Sequence, residues 1–125
     1  MLDRLERKAR KRGNDIAQRG PEELHALRKT MKKLRYGVEY LAGLYDSKEV
    51  KRYRRACEGL QEVLGTINDA AATDRIAAKL AEKGRPDLVP PIGALAKWNE
   101  ARRRKACSHL DKAWKDFRGA APYWH

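Results

Sequence analysis

The separation of charged from apolar side chains between Leu24 and Tyr45 constrains this chain more than any other feature. At about 100° per residue, Leu24, Leu27, Met31, Leu34, Val38, Leu41 and Tyr45 fall in one sector of a helical wheel. His25, Arg28, Lys29, Lys32, Arg35 and Tyr36 fall in the opposite sector, with Lys33 at its flank. Such a segment folds as a helix whose apolar stripe is covered by other helices, because packing of that stripe supplies most of a helix's stability in water. The local signals agree. Gly20 can cap the helix, Pro21 suits the first helical position, and Glu22 and Glu23 meet the positive end of the helix dipole. Gly37 costs helix propensity and permits close approach of a neighbouring helix.

The rest of the chain supplies the covering helices. Met1 to about Arg12 reads as a short helix with Leu2, Leu5 and Ala9 as its apolar stripe, and Gly13-Asn14-Asp15 ends it. After a turn at Asp46-Ser47, a helix is expected from Lys48 to Leu64 on the stripe Val50, Tyr53, Cys57, Leu60 and Leu64. Gly65 is its expected stop, and Thr66 the cap of a further helix through Lys83. Gly84-Arg85-Pro86-Asp87 is a loop. The last helix runs from near Pro91 to near Arg118, with Leu95, Trp98, Ala106, Leu110, Ala113 and Phe117 on its inner face. Arg102 falls near that face and is expected to reach out past the core edge or to mark a bend. The aromatic tail Pro122-Tyr123-Trp124 is expected to fold back onto the bundle. Nowhere do β-branched and polar residues alternate as in a strand. The expected fold is all-α, an antiparallel four-helix bundle with an additional short N-terminal helix, in a single domain over residues 1–125.

Charge narrows the function. The net charge is +12, and it is concentrated early: residues 1–55 hold 17 Lys and Arg against 8 Asp and Glu. From His25 to Arg35 there is no acidic residue. Like charges on one helix face repel by a few tenths of a kcal/mol per i,i+4 pair, which a bound polyanion offsets. The spacing His-x-x-Arg-x-x-x-Lys-x-x-Arg keeps His25, Arg28, Lys32 and Arg35 in one file about 15 Å long. Arg can hold phosphate oxygens bidentately, Lys offers a point charge, and a protonated His donates from both ring nitrogens. Against this stands the commonest role of a basic helix face, a solvated surface. Tyr36 divides evenly between ligand support and packing on the bundle flank, and Glu39 can pair with Arg35 or simply face solvent. Among Lys48, Lys51, Arg52, Arg54 and Arg55, the two nearest the apolar stripe, Lys51 and Arg54, are candidates to extend the groove. The run Arg102-Arg103-Arg104-Lys105 spreads around its helix and reads as surface.

Other chemistry finds no support. There is no GxxxxGK[ST] loop, Asp69 and Asp74 do not make a metal site, and no catalytic constellation accompanies them, so neither enzyme activity nor a cofactor is expected. Asn68 and Asp69 are assigned to capping at the Gly65 junction. Cys57 and Cys107 are expected as reduced, buried thiols. No signal peptide is visible, and no stretch approaches the roughly 20 apolar residues of a membrane span.

Two segments carry a resemblance. The stretch from Leu24 to Tyr36, Leu-His-Ala-Leu-Arg-Lys-Thr-Met-Lys-Lys-Leu-Arg-Tyr, followed by Glu39, resembles the signature of the CHAD family of histidine-containing α-helical domains. Leu60 to Ala70, Leu-Gln-Glu-Val-Leu-Gly-Thr-Ile-Asn-Asp-Ala, resembles that family's second recognisable segment, and Pro122-Tyr123-Trp124 fits the same context. The resemblance implies a non-enzymatic module that binds inorganic polyphosphate in the cytoplasm, in association with polyphosphate granules. It assigns anion binding to His25, Arg28, Lys32 and Arg35, with Lys29 and Lys33 as flanking charges. A complete family domain resembles two helical bundles around a shared groove, each with one basic helix, and this chain looks like the C-terminal half. His109 has only Lys112 where an arginine is wanted, so no second copy is present. The chain is then a fragment, or a half that pairs with another copy or with a second CHAD half. Two other functions remain open: non-specific nucleic-acid binding on the same face, and a scaffold or oligomerisation bundle whose charge serves solubility.

Overall fold

The apolar stripes predicted from sequence become helices in the computed structural model, which describes residues 1–42, 48–120 and 122. Among these residues there are four α-helices and no strand: α1 (Leu2–Gly13), α2 (Pro21–Ala42), α3 (Lys48–Ala81) and α4 (Val89–Gly119). The expected helix end at Tyr45, the turn at Asp46-Ser47 and the fold-back of Tyr123-Trp124 lie outside the described residues. The architecture is all-α, with α1 packed on α2, α2 on α3, and α3 on α4.

The main correction concerns the break expected at Gly65, because α3 runs through it without interruption. Val50, Tyr53, Cys57, Leu60, Leu64, Ile67 and Ala70 are all buried, stepping by three or four residues with no change of phase. Burying one continuous stripe outweighs the ~1 kcal/mol that a mid-helix glycine costs. Thr66 is therefore no cap; its hydroxyl donates to the Glu62 carbonyl one turn back, inside the helix. Among the described residues the α-helices number four rather than five, and the N-terminal helix is a member of the bundle.

The close approaches sit at glycines. A Cβ on Gly37 would lie 2.5 Å from Leu2 Cδ2, so the glycine admits α1 against α2. Gly13 at the end of α1 faces the indole of Trp114, where a Cβ would overlap the ring. Trp114 and Phe117 then stack at 5.6 Å, and Phe117 meets Tyr53 at 5.9 Å, which joins α4 to α3 through the core. One charged group enters this core. The Glu6 side chain is buried, pairs with Arg10 Nε at 2.7 Å and accepts a hydrogen bond from the Tyr53 hydroxyl at 3.2 Å.

The inner face of α4 differs from expectation at its start. Trp98 is 57% exposed, with the Arg102 guanidinium stacked on it at 4.5 Å, while the neighbouring Asn99 is buried. Asn99 donates to the Ala70 carbonyl at 2.8 Å and to Asp74 Oδ1 at 2.7 Å, and accepts from Arg102 at 2.9 Å. Ala106, Leu110 and Phe117 are buried as expected, Leu95 and Ala113 only partly, and Trp114 joins them. Between residues 71 and 98 no side chain is buried, so the end of α3 and the start of α4 form a two-helix arm beyond the core. Gly84, at φ +64°, turns the chain between them.

Candidate functional site

The polar flank of α2 lies along α3, and the two helices run antiparallel. Arg35 Nη1 donates to Gln61 Oε1 at 3.2 Å, and Arg35 Nη2 lies 3.8 Å from Glu58. Two turns earlier on α2, Arg28 Nε passes over Gly65, 3.9 Å from where a Cβ would stand. At the start of α2, His25 lines a cavity of about 220 Å³ with Leu64, Ile67, Asn68 and Arg75. The result is a groove with His25, Arg28 and Arg35 on one wall. The other wall is the α3 stripe Glu58, Gln61, Gly65, Asn68 and Arg75, spaced by three and four residues with a double step at Ala72.

The groove's cations differ in how they are engaged. Arg35 is held, since Nε also pairs with Glu39 at 3.2 Å, so Glu39 takes the pairing role open to it in the sequence. Arg28, Lys29, Lys32 and Lys33 make no ion pair with another described residue, and the three lysines are exposed. His25 Nδ1 and Arg54 Nε are buried and find no hydrogen-bond partner among the described residues, an arrangement that natural interiors rarely leave unmatched. Tyr36 is 60% exposed beside this file, and Tyr40, one turn on, is 86% exposed. Neither packs into the core.

The structure redistributes the remaining predicted residues. By spacing, Arg54 falls one turn before Glu58 on the same stripe of α3. Lys51 does not share that position; it lines a separate cleft between α3 and α4 with Lys48, Arg52, Arg55 and Lys115. Asn68 loses the capping role assigned to it, since no helix begins there, and instead stands beside His25 in the cavity. Gln61 and Arg75 were not singled out from sequence. Their spacing from Arg54 along α3 was the available signal, and it becomes visible only once Gly65 is known to lie inside one helix.

Other chemistry is not assembled. Among the described residues no cluster of three or more His, Cys, Asp or Glu could hold a metal ion, and no helix is long and apolar enough to cross a membrane. Cys57 is buried, and burial pushes its thiol from an ordinary 9.0 up to about 12, but Cys107 is exposed, contrary to the expectation for both thiols.

The family model for the CHAD domain matches residues 1–78, more than half of the chain. The chain belongs to the CHAD domain family. The matched segment contains α1, α2 and nearly all of α3, so both walls of the groove lie inside the CHAD match, whereas α4 lies outside it. CHAD domains are a binding-domain family associated with polyphosphate. No curated protein and no solved structure matches the chain.

Proposed function

We propose that this CHAD chain binds inorganic polyphosphate, without catalysis, along the α2–α3 groove. The observation that carries the reading is the file from His25 through Arg28 and Lys32 to Arg35. Its middle members have no acidic partner among the described residues, and it ends at a cavity lined by His25, whose buried Nδ1 lacks a hydrogen bond. An extended chain of phosphates supplies acceptors at every step of such a file and removes the repulsion between its cations. Lys29 and Lys33 then raise the local potential from the flank, which speeds encounter more than it fixes the ligand. Arg75, beside His25, adds a guanidinium from the opposite wall. A second copy or a second CHAD half facing this groove would enclose the ligand from the other side. The corresponding cellular role is cytoplasmic retention of polyphosphate or attachment to its granules.

A second reading is single-stranded nucleic acid, favoured by one feature, the adjacent exposed rings of Tyr36 and Tyr40 beside the cations. Bases stack on such platforms. The test is binding of long-chain polyphosphate, DNA and RNA at matched phosphate concentration across a salt series. Polyphosphate is expected to bind most tightly and to keep that preference at moderate salt, and Arg28→Ala with Arg35→Ala is expected to weaken it while the helical content is unchanged. Equal affinity for the three polymers, or preference for RNA lost in Tyr36→Ala with Tyr40→Ala, assigns the face to nucleic acid instead.

A further inference from the structure

The far side of α3 carries a second cleft lined by basic side chains. Lys48, Lys51, Arg52 and Arg55 from the first two turns of α3 line it from one side, and Lys115 and Asp116 from the last turns of α4 line it from the other. The cavity measures about 560 Å³, within the ~300–1,000 Å³ of small-molecule sites. Among the described lining residues, five cations thus face one carboxylate.

This cluster differs from the arginines that the chain ties to carboxylates elsewhere. In α4, Arg103 and Arg104 are both tied to Glu100, at 2.7 and 3.2 Å, and the Glu100 carboxyl is held below its usual range first by its hydrogen bond with Arg103. Arg10, Arg19 and Arg85 each have a carboxylate at 2.7, 2.6 and 2.7 Å. None of the five cleft cations makes a hydrogen bond or an ion pair with another described residue. A solvated basic surface tends to intersperse its signs; here like charges converge on a concave space and stay uncompensated. The α3 N-terminus adds a favourable field for anions, and the carbonyl end of α4 at Gly119 opposes it, so the side chains set the sign.

We infer that the α3–α4 cleft binds a linear oligophosphate, independently of the α2–α3 groove. The described lining residues carry charge on both walls and include no aromatic ring, so they can hold phosphate oxygens but offer no stacking platform for a base. Its cations belong to a different surface from Arg28 and Arg35, with the body of α3 between them, so a short ligand occupies one site or the other.

The experiment is calorimetric titration of the full chain with tripolyphosphate at low salt. Two molecules are expected per chain. Lys51→Ala/Arg52→Ala/Arg55→Ala is expected to remove one and leave the other, and Arg28→Ala/Arg35→Ala to remove only the other. Lys115→Glu, a single exposed substitution on the opposite wall, is expected to weaken the cleft site roughly tenfold through lost attraction and added repulsion, with the fold checked by circular dichroism. Unchanged stoichiometry and affinity in both cleft variants overturns the inference whatever happens at the groove. Loss of the groove site alone from the wild-type count would instead overturn the groove reading. A cleft that takes a short oligonucleotide more tightly than tripolyphosphate overturns the ligand class.

Discussion

Replacing Glu58 by Gln is expected to tighten polyphosphate binding. Arg35 Nη2 lies 3.8 Å from the Glu58 carboxylate, with the two side chains 37% and 42% exposed. At that separation Coulomb's law gives about 1 kcal/mol in water and about 4 kcal/mol at the effective dielectric of a protein surface. Measured exposed pairs fall at roughly 0.2–1 kcal/mol, so the lower figure is the appropriate one. A phosphate chain that engages Arg35 must displace this pairing and then sit beside the remaining carboxylate, so Glu58 opposes binding twice. Removing its charge should gain about 1–1.4 kcal/mol, a five- to tenfold increase in affinity. The Gln61 amide and Glu39 still hold Arg35 in place, and folding stability should change by no more than about 0.5 kcal/mol. The assay is calorimetric titration with long-chain polyphosphate at low salt, repeated at high salt, where screening should shrink the gain. Glu62→Gln, which neutralises a carboxylate on the α3–α4 side, is the control and should gain less. Unchanged or weaker binding by Glu58→Gln would refute the reasoning, because the ligand path would then not pass Arg35.

Other expectations follow from the packing and the titrating groups. Gly13→Ala should destabilise the fold by about 1–3 kcal/mol in urea titration, since the added methyl overlaps the buried indole of Trp114. Cys57 has its thiol raised from 9.0 to about 12 by burial and then by Glu6, so the neutral form is the one stabilised by folding. The resulting stability is complete below pH 9 and lost as pH climbs toward 12, and denaturation measured across that window should show a smaller alkaline slope in Cys57→Ala. In thiol-reactivity assays of the native chain at neutral pH, Cys107 should react and Cys57 should not. His25→Ala should weaken polyphosphate binding in the calorimetric titration, because it removes a donor from the end of the file.

The sequence made the helix α2 and its buried residues Leu27, Met31, Leu34 and Val38 legible, because the stripe is a local pattern on one helix. The same logic failed at Gly65, where a good stop signal was outweighed by seven buried side chains that lie on both sides of it in one phase. That error hid Arg75 and misassigned Asn68, since their place beside His25 depends on α3 being continuous. Lys51 and Arg54 are three residues apart and looked alike, yet α3 is packed between α2 and α4, so a small rotation brings Lys51 and not Arg54 to the described lining of the α3–α4 cleft. At the start of α4, Trp98 was chosen for the core because it is large and apolar. The arm there has only α3 to pack on, and Asn99 took the inner position because it can satisfy the Ala70 carbonyl and Asp74.

The central claim is that the polyphosphate chain lies between α2 and α3. Nuclear magnetic resonance of the labelled chain during titration with polyphosphate tests it most directly. The largest shifts are expected at His25, Arg28, Lys32 and Arg35 on α2 and at Gln61, Gly65 and Asn68 on α3, with the His25 ring protons moving as Nδ1 gains a partner. Shifts spread evenly over all exposed Lys and Arg residues, with none concentrated on both groove walls, would contradict it.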